Sequence, residues 1–187
     1  MSFRKYSAIV FDLGKVLIPF DYAPAITKLN QVGGGLGDRF IEFYKSNYHF
    51  HRDFERGKIS ENEFISKMLE VVNHKIDAET FKKHYADIFS LDEEVISLLP
   101  ILKNDYKLFL LSNTNSIHQK YGWQKYEFLK YFDKLILSHE AHSVKPEDKI
   151  YHAVEEASAS PSEEHFYIDD IQEYVDAAVK LGWDAVV

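Results

Sequence analysis

Three apolar runs in this 187-residue chain break off at polar residues, and that repeated ending constrains the fold more than any other feature. Ala8-Ile9-Val10-Phe11 stops at Asp12, passes Gly14 and resumes with Val16-Leu17-Ile18. Lys107-Leu108-Phe109-Leu110-Leu111 stops at Ser112-Asn113-Thr114-Asn115, and His165-Phe166-Tyr167-Ile168 stops at Asp169-Asp170. Continuous β-branched and aromatic runs mark strands buried on both faces. In an open parallel sheet, ligands bind in the crevice outside the carboxyl ends of the strands. Two acidic clusters and one hydroxyl-amide cluster are therefore expected to meet there.

From Asp92 onward the pattern alternates: helix to about Leu102, strand to Leu111, helix after Asn115, strand Lys134 to Leu137, helix Glu147 to Glu156, strand to Ile168, helix Ile171 to Leu181, and Asp184 to Val187. Such alternation with short connections predicts an α/β fold, a Rossmann-like parallel sheet with helices on both faces. The chain is expected to stop at its last strand, leaving that sheet edge open or a following element missing. Residues 19–90 read differently, with helical spacing and no strand. Ala25-Ile26-Leu29 is a short apolar face, Ser60-Glu61-Asn62-Glu63 is a capping box, and Asp77-Ala78-Glu79-Thr80 starts a helix carrying Phe81, Tyr85 and Phe89. The expectation is an α/β core made of residues 1–18 and 91–187, with 19–90 inserted after the first strand as a helical cap.

The chain is long enough to bury a substantial core. It has no cysteine, which excludes disulfides and thiolate metal sites, and its formal net charge of −8 argues against nucleic acid or an anionic membrane as partner. The basic and then apolar amino terminus is too short, and meets Asp12 too soon, for a secretory signal. No apolar window reaches the length of a membrane span. A cytoplasmic protein, monomer or homodimer, is expected.

Each polar cluster has an ordinary structural reading beside a chemical one. Asp12 can cap the turn after its strand; beside a divalent cation and a fixed positive charge it can instead attack phosphorus and form an aspartyl-phosphate. Gly14 lets the loop turn tightly and leaves a carbonyl free to face a metal. Asp169-Asp170 can begin a helix, and with Asp12 it also supplies the hard oxygen ligands that Mg²⁺ takes. Ser112-Asn113 can be a helix cap, or can hold phosphoryl oxygens by a hydroxyl and backbone N–H groups. Lys145, stiffened by Pro146, can be a surface residue or can neutralise charge developing on nucleophile and phosphoryl group. His49 and His51 lack a third ligand and are expected at structural or surface positions. Gly33 to Gly37 has the glycine content of a phosphate loop without its Lys-Ser or Lys-Thr, so a cap hinge is expected. His139 and His142 are expected to decorate the Lys145 loop. Phe20, Tyr22, Tyr44, Phe50 and Phe54 are candidates to line a substrate face.

In order and spacing, Asp12-Leu13-Gly14-Lys15-Val16, Ser112-Asn113-Thr114-Asn115, Lys145-Pro146 and Asp169-Asp170 resemble the four motifs of the haloacid dehalogenase-like hydrolase superfamily. The resemblance covers nearly the whole chain. Phe54-Glu55-Arg56-Gly57-Lys58-Ile59-Ser60 and the Ser-Asn-Thr-Asn form look most like its bacterial sugar-phosphatase branch, which includes glucose-1-phosphate phosphatases. The resemblance implies Asp12 as nucleophile, Ser112 as phosphate binder, Lys145 as charge clamp, and Asp169, Asp170 and the Gly14 carbonyl as magnesium ligands. Most phosphatases of the superfamily carry a second Asp where this chain has Gly14, so the proton donor to the leaving group is unidentified.

The resulting expectation is a magnesium-dependent phosphatase acting on a small phosphorylated metabolite, a sugar phosphate by the resemblance. Two alternatives stand beside it. One is a metal-free dehalogenase, against which the adjacent acids Asp169 and Asp170 speak. The other is a catalytically weak relative that binds a phospho-ligand or a protein, which the missing acid at Gly14 supports.

Overall fold

The structure, a computed structural model, describes residues 5–187; residues 1–4 of the expected core and of the basic amino terminus lie outside it. Five strands form one parallel sheet: β1 (Ala8–Phe11), β2 (Lys107–Ser112), β3 (Lys134–Leu137), β4 (His165–Ile168) and β5 (Asp184–Val186), in the order β3-β2-β1-β4-β5. All four residues of β1 are buried, as a central strand requires. Its side chains alternate between two cores. Ala8 and Val10 join Phe109, Tyr167, Ile150, Val154 and Trp183 on one face, while Ile9 and Phe11 join Leu108, Leu110, Leu99, Trp123 and Phe128 on the other. The sheet is thus covered on both sides, and its apolar runs are continuous for that reason.

The chain steps from β1 outward through β2 to β3, then returns to the other side of β1 for β4 and β5. The reversal opens a crevice at the carboxyl ends of β1 and β4. Register fixes what enters it. Phe11 pairs with Leu110 on one side and Ile168 on the other, so Asp12 and Asp169 leave the sheet at one level, with Ser112 just beyond.

Between β1 and β2 lie helices α1 (Ala23–Val32), α2 (Leu36–Ser46), α3 (Tyr48–Glu55), α4 (Glu61–Val71) and α5 (Ala78–Ala86). They pack around their own cluster of Leu29, Phe40, Phe54, Phe64, Met68, Phe81 and Tyr85. The predicted capping box forms at the start of α4: Ser60 Oγ accepts from the Glu63 N–H, and the Glu63 carboxylate accepts from the Ser60 N–H. Asp77 caps α5 by accepting from the Thr80 N–H.

Three elements differ from the sequence reading. The glycine run is not a hinge between segments; it is the turn joining α1 to α2, and Gly37 lets those helices meet. A Cβ on Gly37 would lie 2.2 Å from the Ile26 carbonyl oxygen. Gly37→Ala must push the helices apart and is expected to cost about 1–3 kcal/mol, measured by equilibrium denaturation. The helix expected from Asp92 to Leu102 is two short ones, α6 (Glu93–Ile96) and α7 (Leu99–Leu102), because Pro100 cannot donate into a continuous ladder. The helix expected after Asn115 is a π-helix over His118–Trp123, where Gly122 is pressed against Phe89. The remaining helices are α8 (Ser138–Ala141), α9 (Asp148–Ser158) and α10 (Gln172–Lys180). Among the described residues, no helix is long and apolar enough to cross a membrane.

Candidate active site

A cavity of about 170 Å³ opens at the carboxyl ends of the strands, lined on the sheet side by Asp12, Gly14, Ser112, Asn113, Lys145 and Asp170. Lys145 is its pivot. Its side chain is 1% exposed, and its Nζ donates to Asp12 Oδ1 at 2.6 Å, to Asp169 Oδ2 at 2.5 Å and to the Leu111 carbonyl at 3.1 Å. Three acceptors for three ammonium protons leave none unsatisfied. Burial works to lower the lysine's pKa, but the two carboxylates prevail and hold it above the ordinary lysine value.

Two acids share this one cation, and they are affected unequally. Asp169 is held by more donors: it also accepts from the Tyr167 hydroxyl and, at 2.9 Å, from the Ile171 N–H. Asp12 keeps Oδ2 outside that network. Burial pushes its carboxyl up to about 6; Lys145 pulls against this and Asp169 adds to it. Asp170 is raised by its own burial and by Asp169, while Lys15, 3.8 Å away, draws it down. Asp12, Asp169 and Asp170 each offer a carboxylate oxygen within 4.8 Å of the others. Such a set of hard, anionic oxygens fits a small divalent cation. Asp12 and Asp170 line the cavity, whereas Asp169 stands behind them as the anchor of Lys145.

The backbone of Lys145 is fixed as firmly as its ammonium. Its N–H donates to Asn113 Oδ1 at 2.8 Å, Asn113 Nδ2 donates back to its carbonyl at 3.2 Å, and Arg52 donates to the same carbonyl. The Lys145-Pro146 peptide bond is cis. The side chain of Asn113 therefore holds the lysine, leaving its backbone as the part able to meet a ligand. The Thr114 N–H is already taken by Ser138 Oγ at 2.9 Å. Ser112 ends β2 buried, at the cavity wall.

The helical segment supplies the opposite wall. Tyr22 and Tyr44 line the cavity as expected from sequence, and Phe20 does too. Phe54 does not: it stacks on Phe64 at 4.1 Å inside the helical cluster, where Phe50 also packs. His49 is exposed, but His51 is buried at the cavity wall, because α3 turns positions 51 and 55 to the same side. His51 Nε2 lies 3.2 Å from Glu55 Oε1, and its Nδ1 lies 3.2 Å from the Tyr85 hydroxyl. His139 meets Gln119 at 3.1 Å and does more than decorate its loop. Sequence reasoning missed Tyr48, Arg52, Glu55, His118 and Tyr174. For Glu55 the available signal was its i, i+4 spacing from His51.

His118 stacks on Tyr85 at 4.3 Å, and its Nδ1 lies 3.1 Å from Asn115 Nδ2 while its buried Nε2 has no partner. Burial drives its imidazole from 6.5 down to about 3. The folded state therefore binds this proton less readily than the unfolded chain, and its contribution to stability falls as pH drops below the unfolded value. Between pH 7 and pH 5 the native chain should lose about 2 kcal/mol more than His118→Phe, as measured by denaturant midpoints.

A profile of the haloacid dehalogenase-like hydrolases matches residues 38–187. The chain belongs to that family. Among solved structures, a haloacid dehalogenase (HAD) family enzyme of Bacteroides thetaiotaomicron in a magnesium complex is 26% identical, with a TM-score of 0.84 over 98% of this chain and 93% of that one. The same enzyme with magnesium and inorganic phosphate is matched at 25% identity and a TM-score of 0.81, over 97% and 93% of the two chains. A HAD-like family hydrolase of Porphyromonas gingivalis is 26% identical, with a TM-score of 0.80 over 98% of this chain and 91% of that one. L-2-haloacid dehalogenase of Xanthobacter autotrophicus, at 17% identity and a TM-score of 0.67 over 96% and 76% of the chains, shares the fold alone.

Proposed function

We propose that this HAD-family hydrolase is a magnesium-dependent phosphatase of small phosphorylated metabolites, sugar phosphates among them, working through an aspartyl-phosphate on Asp12. The observation that carries the reading is Lys145, buried between Asp12 and Asp169 at the floor of a cavity that Asp170 also lines. The Bacteroides thetaiotaomicron relative, which holds magnesium and inorganic phosphate, supports it. Magnesium held by Asp12 and Asp170, with Asp169 and the Gly14 carbonyl completing the set, would neutralise phosphoryl charge as a Lewis acid.

The chain's own residues do the rest. The Lys145 ammonium fixes Asp12 and offsets negative charge as it builds on the transferring group. Ser112 and the backbone of Asn113 hold phosphoryl oxygens so that the phosphorus faces the carboxylate. Residues 19–90 act as a cap, excluding bulk water and contacting the leaving group through Tyr22, Tyr44 and Tyr48.

The test is phosphate release from a panel of sugar phosphates and an aryl phosphate, with magnesium and with chelator, alongside halide release from chloroacetate. Magnesium-dependent phosphate release is expected, and the panel ranks the substrates. Halide release without magnesium would make the protein a dehalogenase. Tight ester binding with no turnover would make it a phospho-ligand sensor.

A further inference from the structure

The wall of the cavity next to Asp12 is hydrocarbon. A Cβ on Gly14 would lie 3.9 Å from Asp12 Oδ2, so a side chain at this position would stand beside the carboxylate. Phe20 crowds that space: the same Cβ would be 3.0 Å from Cε1 of its ring, which would have to give way. Lys15, the next residue, turns its ammonium toward Asp170 at 3.8 Å and over the Phe20 ring at 5.5 Å, with its side chain more than half exposed.

The opposite wall is polar, but its groups are either committed to one another or poor acids. Both ring nitrogens of His51 are engaged, by Glu55 and by Tyr85. Burial works to raise the Glu55 carboxyl, yet His51 and Arg52 hold it below the ordinary value, so it is a proton acceptor at neutral pH. The Tyr22 and Tyr44 phenols are raised by burial and keep their protons. His118 is neutral, with Nδ1 facing the Asn115 amide, and a neutral imidazole N–H is a very weak acid.

We infer that the protein breaks the phosphate ester bond without handing a proton to the departing oxygen, so that it selects esters of acidic hydroxyls, with Gly14 and Phe20 as the determinants. The inference rests on the phosphatase reading and narrows its substrate class: phenols, hemiacetal hydroxyls and carboxylic acids leave readily, ordinary alcohols poorly. An Asp12 oxygen forms a bond to phosphorus while the bond from phosphorus to the leaving oxygen breaks. That oxygen keeps the electron pair, departs as the anion and is protonated by solvent once the product has left the cap. A second water then adds to the phosphorus of the aspartyl-phosphate, releases a proton to solvent, and frees phosphate and the Asp12 carboxylate.

The test is kcat/KM, with magnesium, across substituted phenyl phosphates of graded leaving-group acidity, with one hexose phosphorylated at its hemiacetal or its primary hydroxyl. This ratio reports the first irreversible step and is independent of how fast the intermediate hydrolyses. A positioned acid contributes about 10²–10⁴ to rate, so its absence predicts a spread of at least about 10² between the best and poorest leaving groups. Gly14→Asp with Phe20→Ala should narrow that spread and add a basic limb to the pH profile, and Gly14→Asp alone, crowded by the Phe20 ring, should narrow it less. The native series is decisive even if neither variant folds. A flat series would overturn this inference and leave the phosphatase standing. No turnover of any ester would overturn both.

Discussion

Lys145→Met is expected to lose phosphate release by at least about 10²–10³-fold and to unfold about 3–5 kcal/mol more easily than the native chain. The two losses have one origin. The ammonium serves Asp12, Asp169 and the Leu111 carbonyl from a position with almost no water. Removing it leaves two buried carboxylates facing each other without a counter-charge, and breaking one partner out of a buried pair costs far more than the pair gains on forming. The deficit should shrink on mild acidification, because protonating one carboxylate relieves the repulsion. Lys145→Arg should not rescue activity: a planar guanidinium cannot address three acceptors arranged around a single nitrogen. Denaturation at pH 7 and pH 5, run beside the activity assay, checks the pairing. A stable but inactive Lys145→Met would mean that the ammonium serves chemistry without holding the floor of the site together.

Much of this arrangement was legible because strand burial and strand ends are local properties. The run Ala8 to Phe11 could be read as buried on both faces, and a strand so buried must deliver Asp12 to the sheet edge. The same logic brought Asp169 and Asp170 to the same place, and parallel register did the rest. Long-range partners were not legible. Nothing in Arg52 foretells that it donates to the Lys145 carbonyl 93 positions later, and nothing in Asn113 says that its amide is spent on that same peptide. The aromatic face was half visible. Helical spacing shows that Phe54 and Tyr44 are both on apolar stripes, but not which stripe faces the helical core and which the cavity. Gly14 read as a missing acid. Only the position of Phe20 shows that its ring crowds the space.

Asp12→Asn is expected to abolish turnover, by at least about 10⁴-fold, while leaving the fold as stable as before or more so. The amide cannot attack phosphorus, yet its oxygen can still accept from Lys145, which also keeps Asp169 and the Leu111 carbonyl. The stability side follows from linkage. Burial raises the native Asp12 carboxyl from 3.8 to about 6, so the folded state holds this proton more tightly than the unfolded chain does. Its contribution to stability is therefore greatest below 3.8 and is lost as pH rises through about 6, leaving an ionised group that costs the fold on the order of 3 kcal/mol at neutral pH. The asparagine variant carries no such cost, and its stability relative to the native chain should improve as pH rises from 4 to 7. Nucleophile and destabilising charge are then the same carboxylate, kept ionised by Lys145 at the expense of the fold. Paired denaturation curves across that range decide the matter: if Asp12→Asn loses more than about 2 kcal/mol at pH 7, the Asp12 carboxylate is an asset to folding and the linkage argument fails.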